Sequence, residues 1–268
     1  MRALLYLLAG VCSAATVGQD VDVKNIIRRS AAAMDKDWNA APGFLYIERD
    51  VQSKRNGPQS IKTYQVLLIA GSNYNRLIAI NDQPLAADQI QQEQEKLQRE
   101  IAKRQHESSS ERARRVAKYQ KERRQDHAMI AEMAKAFTFR LTGSDRLDGH
   151  DCWVFDATPD PAYQPRTRDT KVLPGMKGKL WVEKEHYQWA KVEGEVIRPV
   201  SFYGVFAKVS PGTKFVLEQA PVTSEIWLPT HFSMKVNASA LGFISENSTD
   251  DETYRDYKPI SATAMSQR

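Results

Sequence analysis

The chain has 268 residues, with 38 lysines and arginines against 33 acidic residues and a formal charge of +5. That length suffices for one large β-rich domain with its own core, and so mild a basic balance says little about fold. If Cys12 leaves with an export signal, Cys152 is the only cysteine, which allows no internal disulfide and rules out cysteine-rich metal sites.

The first residues concern the compartment. Arg2 is a short basic start, and residues 3–11 are an apolar run too short to span a bilayer. Ser13, Ala14 and Ala15 are small residues suited to cleavage. This pattern predicts a cleavable export signal over residues 1–15, followed by a single domain over 16–268. Cys12 offers lipid anchoring at the envelope as the alternative, which the bulky Val11 before it disfavours. No later segment has the ~18 consecutive apolar residues a membrane helix needs.

Residues 22–38 read as an amphipathic helix. Val23, Ile26, Ile27, Ala31, Met34 and Trp38 recur at steps of three and four, with Asp22 as N-cap and Pro42 beyond the end. Three strands follow, over 44–51, 61–70 and 75–80. The first two are separated by Asn56, Gly57 and Pro58, a hairpin signal. The second strand is apolar on both faces, which predicts cover on both.

Residues 86–135 contain no Gly or Pro and are crowded with Gln, Glu, Lys and Arg. They predict two helices broken near Ser108, Ser109 and Ser110. Their apolar residues make one narrow stripe per helix, too little for a separate core, so the segment reads as an insertion between strands. From Phe137 onward at least seven alternating segments resume, such as FTFRL, DCWVFDA, GKLWVEK and TKFVLEQ. A loop rich in proline and basic residues interrupts them at 159–174. The expected class is α+β and β-dominated. A large antiparallel sheet with so little helix can pack on a second sheet, close on itself, or wrap around a helix and an apolar ligand.

No metalloprotease, nucleophile-elbow, phosphate-loop or dinucleotide motif occurs. The five histidines are scattered and suggest no metal site. His150 and Cys152 would share a strand face as base and nucleophile, but Trp153, Val154 and Phe155 beside them favour a buried apolar role for the cysteine. Asp156 and Asp160 flank Pro159 at a strand end and read as a solvated loop. No catalytic residue, metal or cofactor is therefore expected, and the protein reads as non-enzymatic.

Two surfaces carry the functional expectation. Arg112, Arg115, Lys118 and Arg123 belong to the densest basic run. They are either a solvated helix face or a surface for an anionic membrane or an envelope protein. Nucleic acid is not expected, since no aromatic residues interleave in the manner of single-strand binders. The second surface is the apolar face. Alternation places Val66, Leu68, Phe139, Trp153, Phe155, Phe206, Phe215 and Met234 on candidate lining positions, with Ile27 and Met34 facing them from the helix. If filled, that interior is a core; if underfilled, it can hold acyl chains.

Residues 178–196, GKLWVEKEHYQWAKVEGEV, resemble the hairpin of the periplasmic lipoprotein-carrier superfamily, the fold of the LolA and LolB proteins. Residues 71–85 and the charged helix after them resemble its outer-membrane lipoprotein-sorting-like branch. The order of signal, helix, strands, helical interruption and meander is similar throughout. The resemblance implies a periplasmic location and a half-barrel, a strongly curved, unclosed antiparallel sheet whose concave side is covered by the first helix and the charged hairpin, that binds a lipid or acylated lipoprotein without catalysis. It transfers no individual functional residue. The alternative is an envelope interaction protein with a filled core, working through its charged helical hairpin.

Overall fold

The computed structural model describes residues 21–54, 57–167, 169–202, 207–240 and 244–260. The expected signal, Cys12 and Phe206 lie outside these residues, as does Asn56 of the first hairpin.

Helix α1 spans Val23–Ala40. The Asp22 carboxylate accepts the Asn25 amide at 3.0 Å, which satisfies one of the donors a helix start leaves free. Strands β1 (Phe44–Lys54), β2 (Ser60–Ile69), β3 (Ser72–Ile80) and the short β4 (Gln83–Pro84) form a meander. Helices α2 (Ala87–His106) and α3 (Ser109–Ala136) follow. They break at Ser108, whose hydroxyl accepts the Glu111 amide while the Glu111 side chain returns to the Ser108 amide. This reciprocal cap stops one helix and starts the next.

The remaining strands are β5 (Phe137–Leu147), β6 (His150–Pro159), β7 (Met176–Glu183), β8 (Trp189–Val196), β9 (Val200–Phe202), β10 (Ala207–Val209), β11 (Lys214–Pro221), β12 (Trp227–Ala240) and β13 (Ile244–Pro259). All pair antiparallel, in the order β4-β3-β2-β1-β13-β12-β11-β8-β7-β6-β5, with β9 and β10 attached beside β12. β4 and β5 end the order, so the sheet is not closed. Register shifts interrupt five of the pairings, and such bulges bend and twist strands.

Within this open sheet the chain brings its end back to its beginning. β13 inserts beside β1, pairing Glu48 with Tyr254 and Asp50 with Glu252. One side, here the inner face, carries α1 and the second half of α3. Ile26, Ile27 and Met34 of α1 pack on Phe155, Leu180, Val182, Trp189 and Val192. Each fully buried side chain of this size contributes roughly 2 kcal/mol. A smaller cluster on the other side joins Cys152, Val154, Trp181, Ala190 and Trp227. Within the proline-rich loop a 3-10 turn over Asp169–Gly175 buries Thr170, and Leu173 joins a cluster with Phe137 of β5 and Val196 of β8.

At the far end of the sheet, two arginines tie the helical hairpin to the β2–β3 turn. Arg104 is buried and donates to the carbonyls of Ile69, Ser72 and Asn73 and to the Ser72 hydroxyl. Arg115 donates to the Ala70 carbonyl and the Ser72 hydroxyl and forks the Glu107 carboxylate.

Candidate functional site

Strand register determines what the inner face offers. One row across the sheet runs Leu141, Phe155, Leu180, Val192, Leu217 and Phe232, then Glu252, Asp50 and Lys62. The face is apolar over β5 to β12 and acidic over β13 and β1. The neighbouring row runs Phe139, Ala157, Gly178, Gly194, Phe215 and Met234, then Asp250 and Gln52. Gly194 is required here, because a methyl group on it would lie 2.0 Å from the Phe215 ring. Phe215 thus folds over its neighbour and fills the centre of the sheet.

The apolar half is well packed. Phe155 and Val182 are 0% exposed, and Trp189 is 2% exposed with its indole Nε1 donating to Ser30 Oγ at 2.9 Å. Open space lies at its margin instead, between α1 and the second half of α3. These helices are antiparallel neighbours, and the groove between them measures about 580 Å3. Its apolar lining includes Ile27, Ala31, Met34, Ile130, Ala131, Ala134, Phe137, Phe139 and Trp189. That volume falls within the roughly 300–1,000 Å3 typical of small-molecule sites.

The two ends of the groove differ in charge. Lys24 and Arg28 on α1 face Lys135 on α3 at one end, with Asp160 beside them. Lys135 pairs with Glu132 at 2.9 Å, and Asp160 accepts the Ala162 amide. At the other end His127 meets Asp35 at 2.8 Å and stacks on Trp38 with ring centroids 4.3 Å apart. Arg123 also packs on Trp38 and donates to its carbonyl, so four contacts pin the end of α1 to α3.

The acidic strip has its own electrostatics. Burial, then the neighbouring carboxylates of Glu252 and Asp50, pushes Glu48 up to about 7. Burial likewise raises Tyr46, Tyr254 and Tyr257, and the Tyr254 hydroxyl donates to Glu252. Two carboxylate pairs on adjacent strands thus sit among aromatic rings in the middle of the inner face. They separate the apolar half of the sheet from β2.

The expected lining residues are divided accordingly. Ile27, Met34 and Phe139 line the groove. Phe155 is core, with Trp153 and Phe215 packed against it. Met234 is half-buried beside Phe215 on the inner face, at the boundary with Asp250. Val66 and Leu68 share the inner face of β2 beyond the acidic strip; Val66 is buried and Leu68 half-buried. The expected basic surface also divides. Arg115 and Arg123 are engaged inside the molecule, while Arg112 and Lys118 are exposed. Phe137 joins Phe139 in the lining, as strand alternation predicts, whereas Ile130, Ala131 and Trp189 were not among the expected lining residues. The spacing of Ile130, Met133, Ala134 and Phe137 at the end of α3 is the signal that points to them.

Other reactive groups have structural employment. Cys152 is buried in the outer cluster, where burial pushes its thiol up to about 11. His150 lies edge-on to the Trp227 ring. Asp156 pairs with Arg140 at 2.6 Å. Glu183, Glu185 and His186 approach one another, but the Glu183 carboxylate accepts the amides of both Glu185 and His186 and so closes the β7–β8 turn.

No protein-family model and no curated protein matches the chain. Solved structures similar to it include a LolA superfamily protein from Nitrosomonas europaea, at 12% identity over 90% of this chain and 94% of that one, with a TM-score of 0.35. An outer membrane lipoprotein-sorting protein domain from Vibrio parahaemolyticus has 10% identity over 88% and 92%, with a TM-score of 0.37. A DUF1329 family protein from Desulfovibrio piger has 10% identity over 90% and 94%, with a TM-score of 0.35.

Proposed function

We propose that this protein is a non-catalytic binding protein that shelters an acyl chain, free or carried by a lipid or lipoprotein. The observation that carries this reading is the groove between α1 and α3. It has an apolar floor, a volume of about 580 Å3, and charges only at its ends. Each methylene moved from water into such a groove contributes about 0.8 kcal/mol, so a long chain supplies ample driving force without any polar recognition. The basic start and small residues at 13–15 support export, and the periplasm is the location that fits a carrier of this kind. Among the described residues no helix is long and apolar enough to cross a membrane.

The test is native mass spectrometry with lipid extraction on protein purified from a bacterial periplasm, for the wild type and Ala131→Phe. Ala131 lines the groove without belonging to the tightly buried core, so the larger ring fills the space and leaves the sheet intact. Ile27 and Met34 are less suitable targets, because each is also a core residue. An acyl adduct on the wild type that Ala131→Phe lacks supports the reading. A wild type that stays free of adducts after incubation with lipids and acylated peptides sinks it.

A second reading is an envelope interaction protein working through the charged hairpin. It draws on the filled inner face and on the exposed Arg112 and Lys118. Deleting 86–135 does not separate the two readings, since the end of α3 is a wall of the groove. Charge reversal at Arg112 and Lys118 does: partner capture is lost only if the hairpin is the working surface.

A further inference from the structure

The groove is polar at its ends in an asymmetric way, and that asymmetry identifies the end group of its occupant. At the α1 start, Lys24 and Arg28 lie one turn apart on the same side of the helix and both line the groove. Arg28 gives one hydrogen bond to the Asn25 side chain at 2.7 Å. Among the described residues neither Lys24 nor Arg28 has a carboxylate within ion-pair distance, whereas Lys135 opposite them is paired with Glu132. At the other end Asp35 and His127 face each other and Trp38 closes over them. An occupant therefore meets unpaired positive charge at one end only.

We propose that the groove's ligand is a single acyl chain ending in a free carboxylate. Its hydrocarbon lies over Ile27, Ile130 and Phe139, and its carboxylate is held by Lys24 and Arg28. The inference rests on the reading of the groove as an acyl-chain site and adds the head group. Two cations without a carboxylate partner among the described residues suit an anionic end group, and the Arg28 guanidinium matches the planar fork of a carboxylate. A chain esterified or amide-linked to a protein has no such terminal charge, so the inference selects a free fatty acid over an acylated lipoprotein.

The experiment measures binding of palmitate and of its methyl ester to the full mature protein, in the wild type and in Lys24→Gln/Arg28→Gln. Far-UV circular dichroism checks the fold of the variant, whose two altered side chains are exposed in the wild type. The wild type is expected to bind palmitate roughly fivefold to tenfold more tightly than the ester, as two exposed charge contacts provide. The double variant should lose that preference, with the loss falling chiefly on its affinity for palmitate. The preference should also shrink with salt, because these charges are open to solvent. Equal affinity of the wild type for acid and ester overturns the head-group assignment and leaves the chain site standing, with an esterified ligand as its occupant. Failure of the wild type to bind either compound overturns the acyl-chain reading and the head group with it.

Discussion

Asp37 at the end of α1 should make this protein less stable as pH rises through the mildly acidic range. The side chain is 2% exposed. One carboxylate oxygen accepts the Trp227 amide at 3.2 Å, which ties the helix to the start of β12. The other oxygen is buried without a partner, as is the amide oxygen of Gln188. Burial outweighs the hydrogen bonds and pushes the carboxyl from 3.8 up to about 6. The folded state thus holds this proton more tightly than the unfolded chain does. The resulting stability is fully present below about pH 4 and is lost as pH rises through about 6. A rise of this size corresponds to about 3 kcal/mol. Asp37→Asn keeps the acceptor for Trp227 and removes the titration. Urea unfolding followed by tryptophan fluorescence, at steps between about pH 4 and pH 7, should show the wild type losing about 3 kcal/mol more than the variant across that range. Glu48, pushed up to about 7, adds a slope of the same sign. It is present in both proteins and cancels in the difference. Parallel stability profiles for the two proteins would refute the argument.

Gly194→Ala forces the Phe215 ring out of the notch it occupies, since the new methyl would lie 2.0 Å from it. Overpacking of this kind costs about 1–3 kcal/mol in urea unfolding, and Phe215→Ala in the same chain should remove the additional penalty. Arg104→Ala strips donors from the carbonyls of Ile69, Ser72 and Asn73 at the β2–β3 turn. It should destabilise by about 2–4 kcal/mol. Arg104→Lys should restore only part of that loss, because an ammonium cannot reproduce the planar fork.

Much of the architecture was legible before any coordinates, because local signals and tertiary packing agree. The apolar period of α1 and its Asp22 cap describe the helix that forms, and its buried residues are those the period selects. The helical break at Ser108 follows from a reciprocal cap that involves only Ser108 and Glu111. Alternation in β6 and β7 placed Phe155 on the inner face. The basic run on α3 was legible as charge but not as role: Arg115 and Arg123 point into the molecule at acceptors from the distant β2–β3 turn and from α1.

What the sequence determined by itself was the set of elements and the face each residue occupies, since both depend on backbone period and on neighbours a few positions away. Only the tertiary structure decided whether that face is filled or open. Phe155 alternates as a cavity lining would, yet it is fully buried in the core, while free space lies between α1 and the second half of α3. The insertion of β13 beside β1 also places four carboxylates, Glu48, Asp50, Asp250 and Glu252, between the Lys62 end of β2 and the apolar half of the sheet. Alternation along one strand carries no information about what lies across from it. That depends on register with segments some two hundred residues away.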